Sequence, residues 1–211
     1  MKSFADSNKL LSKKTWLSIV EPRFFRIFEA DSEKNINNSY IFMNNNALSV
    51  ANYLIDLAEQ SGKHLQPLKL MKLVYIAYGF GLAVLDRSII DPRFDKVEAW
   101  RFGPVIPSVY HSFKQYGKND ITDKTTMIVE RDSDIQIITP QLEDKYAKAV
   151  CEMVWRNYGS KSGYELVNIL HAEGTPWWSV YVKGCNNPIP EETTKRYYAL
   201  LYKNTLAAKN K

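Results

Sequence analysis

The chain has 211 residues and a mass of 24.4 kDa, the size of one ordinary domain. Apolar residues make up 45% and charged residues 24%, the balance of a soluble globular protein, which excludes a disordered chain, a collagen-like repeat and a membrane-embedded protein. The 28 Lys and Arg exceed the 23 Asp and Glu to give +5, but they are scattered, with Lys13-Lys14 and Lys195-Arg196 the longest basic pairs, so the charge reads as a solvated surface and not as a nucleic-acid patch.

Cys151 and Cys185 are too few for a disulfide scaffold or a cysteine-based zinc site, and a reducing cytoplasm is the expected location. The N-terminal residues lack the apolar core of a secretory signal. The uncharged stretch from Leu73 to Leu85 is shorter than the ~20 residues that span a bilayer, so it is expected to be a buried core helix, with no membrane partner.

In chain order, residues 1–42 carry apolar Trp16, Phe24, Phe25 and Phe28, but Pro22 interrupts any single helix through them. A polar linker from Ala30 to Asn38 follows. Met43 is a second candidate translation start. Residues 1–42 are thus either an extension or an arm docking through its aromatics, and the sequence leaves both open. Asn46 is placed to cap a helix whose Leu48, Ala51, Leu54, Ile55 and Ala58 follow the helical period, with Gly62 ending it. Pro67 opens a second helix, Leu68 to about Leu85, apolar almost all round and therefore central. Gly79 and Gly81 inside it each cost about 1 kcal/mol relative to Ala, which close approach of a neighbouring helix would offset.

Val97 to Phe102 alternates as a short extended segment, which Gly103-Pro104 breaks as a turn, and Pro107 opens a third helix through Val109, Tyr110, Phe113 and Tyr116 to Gly117. Thr126–Glu130 and Ile135–Ile138 flank Asp132-Ser133-Asp134 as a β-hairpin. Thr139 then caps a helix begun by Pro140, with Leu142, Tyr146, Ala149, Val150, Met153 and Val154 on one stripe and Gly159 as its stop. Ser162 and Glu165 form a capping box for a helix carrying Leu166, Ile169 and Leu170. Thr175-Pro176 starts a short helix with Trp177 and Trp178, and a last helix opens at Pro190 with Glu191 and Glu192 in its first turn. The expected fold is mainly α: a single helical domain around a central buried helix, with a small β-hairpin.

His64, His111 and His171 are far apart and have no metal-ligand spacing, so no metal and no cofactor are expected. His171 reads as a helix-end side chain bonding a backbone carbonyl or a nearby acid. Walker A, nucleophile-elbow and zinc-deaminase patterns are missing, and Cys185 has no identifiable base, so no catalytic residue is assigned. Tyr75, Tyr78, Trp100, Tyr110, Trp155, Trp177 and Trp178 exceed what a helical core requires; an exposed subset would anchor a protein partner, though the sequence does not sort them.

Three clusters carry a resemblance. They are Leu68-Lys69-Leu70-Met71-Lys72-Leu73-Val74-Tyr75 with Ala77-Tyr78-Gly79; Glu98-Ala99-Trp100-Arg101-Phe102-Gly103-Pro104-Val105-Ile106-Pro107-Ser108-Val109-Tyr110; and Trp155 with Tyr158-Gly159, followed by Leu170-His171-Ala172-Glu173-Gly174-Thr175-Pro176-Trp177. Their order and spacing resembles the Panacea domain of SocA-like antitoxins and phage-associated GepA-like proteins, over roughly residues 46–202. Met71 stands where Gln is expected and Ala172 where Thr is common.

The resemblance implies a non-enzymatic cytoplasmic antitoxin, with residues 43–211 as the Panacea-like domain and residues 1–42 as an appended arm. Its partner would be a cognate protein toxin neutralised by direct binding, with a bacterial protease as a further partner if the protein acts as an adaptor. The alternative is a phage- or mobile-element-encoded DNA-associated regulator. Lys72, Tyr75, Glu98, Trp100, Gly103, Pro104, Pro107, Tyr110, Trp155, His171, Pro176 and Trp177 are the family motif residues, expected to be structural. Gly103-Pro104 would fix a turn, Trp100 and Tyr75 would fill the core beside the central helix, and Glu98 or His171 would satisfy buried polar groups. Trp16, Phe24, Phe25 and Phe28 are the candidate toxin anchors.

Overall fold

The computed structural model describes residues 46–131 and 134–209. The candidate anchors Trp16, Phe24, Phe25 and Phe28, and the boundary at Met43, lie outside the described residues. Helix α1 (Ala47–Gln60) starts where the sequence places it. Asn46 Oδ1 accepts from the Ser49 amide at 2.8 Å, and Ser49 Oγ accepts from the Asn46 amide at 3.2 Å, so two N–H groups at the helix start are satisfied reciprocally. Helix α2 (Pro67–Leu85) begins on proline and ends at Asp86 in the left-handed region, φ 56°.

Strands β1 (Glu98–Trp100) and β2 (Gly103–Val105) precede helix α3 (Pro107–Phe113), which tightens into a 3₁₀ turn over Lys114–Tyr116. Strands β3 (Met127–Arg131) and β4 (Asp134–Ile138) form the hairpin. Helices α4 (Lys145–Tyr158), α5 (Gly163–Leu170) and α6 (Pro176–Val180), strand β5 (Asn187–Pro188) and helix α7 (Glu191–Lys209) complete the domain. The fold is mainly α, as expected from the sequence.

A helix apolar on every side needs neighbours on every side. Helices α1, α4, α5 and α7 and strand β2 all pack on α2, and Leu70, Leu73, Val74, Tyr75, Ile76, Ala77, Phe80 and Leu82 are buried among them. By length and composition α2 would also pass as a membrane span, but its burial makes it the domain's core helix.

The two glycines of α2 are explained differently. A Cβ on Gly79 would lie 2.2 Å from the ring of Tyr198, so α7 approaches α2 through this notch. Tyr198 fills it edge-on to Phe80 and Tyr75, with ring centroids 4.9 and 6.0 Å apart. Gly81 instead accommodates Ile89 of the following loop, with no helix there.

Two buried polar side chains tie the remaining elements to α1. Asn52 donates to the carbonyls of Thr125 (3.0 Å) and Pro140 (3.1 Å) and accepts from the Thr125 amide (3.0 Å), clamping both ends of the hairpin. Asp95 accepts from the Ala47 amide (2.8 Å) and from Ser108 Oγ (2.7 Å), joining the starts of α1 and α3, while burial pushes its carboxyl above the usual range.

The structure corrects the reading of the secondary-structure elements in three places. Helix α4 begins at Lys145 and not at Pro140, because Asp144 Oδ1 accepts from the amides of Tyr146 and Ala147 as an N-cap, while the Pro140 carbonyl is taken by Asn52. Gly103-Pro104 does not form the turn. Arg101-Phe102 does, and Gly103 and Pro104 open β2, where Pro104 pairs with Ala99 on an edge strand that requires no proline N–H. A second sheet, ordered β2-β1-β5, exists beside the hairpin; β5 is two residues long, too short to show a period in the sequence.

Candidate functional site

Eight of the twelve motif residues converge where α2, the β1–β2 turn, α3, α5 and α6 meet. The centre is Lys72. Its position among the apolar residues of α2 buries the whole side chain, and Nζ donates a 2.7 Å hydrogen bond to the carbonyl of Pro104. Burial disfavours the ammonium and pushes its pKa down to about 7. Gly103 lies against it with φ +99°, a conformation that favours glycine, and a Cβ there would sit 3.2 Å from Lys72 Nζ and 3.4 Å from His171 Nε2. The lysine and the histidine thus face the same short stretch of backbone.

His171 is the C-cap of α5, and its ring lies flat on Trp177, centroids 3.7 Å apart and 2° from parallel. Trp177 in turn stacks on Tyr181 at 4.3 Å. The sequence reading of His171 as hydrogen-bonded through a carbonyl or an acid is corrected at Nε2. That nitrogen is buried with no hydrogen-bond partner among the described residues. Burial and the Lys72 charge both hold its pKa below the usual histidine value.

Trp177 Nε1 donates to the Trp100 carbonyl at 2.8 Å, which locks α6 onto the end of β1. Trp100 Nε1 donates to Glu98 Oε2 at 2.7 Å, and its ring meets Tyr110 of α3 edge-on at 4.8 Å. Trp100 is therefore not a core residue as expected. It is half-buried, with its indole nitrogen on Glu98 and its ring edge-on to Tyr110. Glu98 satisfies this half-buried indole and not a deeply buried group.

The other motif residues are placed apart. Pro176 opens α6 behind the Thr175 N-cap, and Pro107 opens α3. Tyr75 is fully buried as expected, but faces Tyr78 and Tyr198 on another side of α2. Trp155, on α4, donates from Nε1 to Ser61 Oγ at the end of α1 at 2.8 Å, with the Lys63 and Lys69 ammonium groups over its ring.

The structure also sorts the aromatic surplus. Tyr75, Tyr78, Trp155 and Trp177 are buried, Trp100 and Tyr110 half-buried, and Trp178 is 55% exposed. Phe102, at the tip of the β1–β2 turn, is 52% exposed with the Arg101 guanidinium over its ring. Phe102 immediately precedes Gly103 and Trp178 immediately follows Trp177, so the closed Lys72–His171 centre carries exposed aromatics on its rim. Sequence spacing missed this: the alternation from Val97 to Phe102 does not show which side chains stay exposed, and the burial of Lys72 runs against the usual placement of lysine. Chemically the cluster is a sealed polar joint. The ammonium of Lys72 has no exposure through which a substrate could approach. Among the described residues no three His, Cys, Asp or Glu side chains come together as metal ligands, and Cys151 is buried, which raises its thiol pKa.

This arrangement of a buried core helix, a β1–β2 turn clamped to it and a histidine–tryptophan stack is built from residues that match a known family. The chain belongs to the family described as Antitoxin SocA-like, Panacea domain, which matches residues 70–178. It is 35% identical over 133 residues to Antitoxin SocA of Caulobacter vibrioides (strain NA1000 / CB15N), covering 62% of this chain and 68% of that protein. No solved structure matches the chain.

Proposed function

We propose that this protein is a non-enzymatic cytoplasmic antitoxin that neutralises a protein toxin by direct binding. Membership of the antitoxin family carries the reading. The exposed Phe102 and Trp178 on the rim of the motif cluster support it, because aromatic side chains next to a rigid, hydrogen-bonded scaffold suit an interface hot spot. In this reading residues 43–211 form the toxin-binding domain. Residues 1–42 are an appended arm whose Trp16, Phe24, Phe25 and Phe28 add toxin specificity, and the bound toxin is either held inactive or handed to a bacterial protease.

The test is co-expression with the product of the adjacent reading frame. Neutralisation predicts that growth is restored and that the two proteins co-purify. Loss of rescue in a protease-deficient host, with toxin accumulating, would indicate delivery for degradation; rescue there indicates inhibition by binding. Failure of both rescue and complex formation would overturn the antitoxin reading. A chain starting at Met43 that neutralises as well as the full chain would remove the arm's role alone.

A further inference from the structure

The β3–β4 hairpin has two unlike faces. Register pairs Met127 with Ile138, Ile128 with Ile137 and Glu130 with Ile135, and successive side chains alternate between faces. Met127, Val129 and Ile138 are half-buried on the domain side. Ile128, Ile135 and Ile137 share the outer face and are 70–73% exposed. Three isoleucines side by side on a two-stranded ribbon are an uncovered apolar patch on an element that is marginal by itself. Among the described residues no strand pairs with either outer edge of this hairpin.

The chain itself arrives at this place. Asn46, the first described residue, has its side-chain amide 3.4 Å from Met127 Sδ, so everything N-terminal to it departs from the root of β3. Forty-five residues lie on that side, and those nearest read Tyr40-Ile41-Phe42-Met43-Asn44-Asn45, an uncharged run with three large apolar side chains of high β-propensity. Phe42 is four residues from Asn46, a reach of about 14 Å. A five-residue strand such as β3 is about 17 Å long. The apolar run therefore falls within reach of the exposed isoleucines.

We infer that the segment Tyr40–Phe42 docks on the outer face of the β3–β4 hairpin and covers Ile128, Ile135 and Ile137, anchoring the N-terminal arm to the domain. The occupant is the chain's own segment because its tether delivers it to this patch at high effective concentration, whereas a second copy or another protein would have to compete with it. The inference goes beyond the antitoxin reading and does not depend on it.

The experiment uses the full chain and limited chymotrypsin digestion, reading cleavage after Tyr40 and Phe42. Docking predicts that Ile135→Asp/Ile137→Asp, on the exposed face, leaves the melting temperature of the domain unchanged but speeds cleavage at these two sites about tenfold. Unchanged cleavage rates overturn the inference. Nuclear Overhauser contacts between the Ile128, Ile135 and Ile137 methyls and the rings of Tyr40 and Phe42 provide a second readout. An isotope-filtered mixture of labelled and unlabelled chains shows these contacts as intramolecular if the segment docks on its own hairpin. Contacts only between different chains, or none, overturn it. Neither result bears on toxin neutralisation, so the two proposals fail separately.

Discussion

Lys72 and Pro104 are joined across the domain by a single 2.7 Å hydrogen bond, from a fully buried ammonium to a backbone carbonyl. The bond fixes the β1–β2 turn to the core helix and places Phe102 at the surface. It also brings a charge into the apolar interior, which is costly without a counter-ion.

That cost has a pH signature. Lys72 has a pKa of about 7 in the fold against an ordinary 10.5, so between these values the unfolded chain binds more protons than the folded one. Stability should therefore rise as pH increases from 7 towards 10, by at most about 1.4 kcal/mol per pH unit. His171, also lowered, adds a rise of the same sign just below pH 6.5. Urea unfolding of Lys72→Met at pH 6, 7.5 and 9 should show the upper rise flattened; a slope matching the wild type would place its origin elsewhere.

Gly79 and Tyr198 form one interlock. Gly79→Ala improves helix propensity, yet its Cβ would meet the Tyr198 ring at 2.2 Å, so the variant should lose about 2 kcal/mol instead of gaining. Combining it with Tyr198→Ala should cost less than the sum of the two, since the clash disappears with the ring. Additive losses in denaturant melts would refute the interlock.

The aromatics of the motif cluster should separate by exposure. Trp100→Ala, expected from the sequence to cost a core residue's 3–5 kcal/mol, should cost about 2 kcal/mol because the ring is only partly buried. Trp178→Ala and Phe102→Ala should each leave stability within about 0.5 kcal/mol while weakening toxin binding at least about tenfold. Calorimetric melting with a pull-down titration checks both, and unaltered affinity in the two exposed variants moves the toxin surface off this rim.

Asn52 holds three backbone groups at the base of the hairpin, and Asn52→Leu leaves them without partners in a buried place. The expected loss is about 3 kcal/mol, with hydrogen exchange of residues 125–140 accelerating more than that of α2. Uniform acceleration across the domain would show that Asn52 contributes to the core generally and not as a clamp.

The sequence by itself determined the helices and their order. Caps at Asn46, Ser162 and Thr175, prolines at 67, 107 and 176, and the helical spacing of apolar residues are local signals, so α1, α2, α3, α5 and α6 fall where those residues put them. The all-round apolarity of α2 likewise announced a buried core helix. Local signals misplaced the start of α4 because Pro140 can begin a helix, and only its contact with distant Asn52 uses its carbonyl otherwise. The motif cluster was legible as residues but not as an arrangement. That Lys72 is buried against Pro104, 32 residues away, that Trp177 is held by the Trp100 carbonyl, 77 residues away, and that Phe102 and Trp178 face out are decided by the packed chain. Burial and hydrogen-bond satisfaction are properties of the packed chain, whereas periodicity and capping belong to a few neighbouring residues; tertiary structure alone decides the first, and sequence suffices for the second.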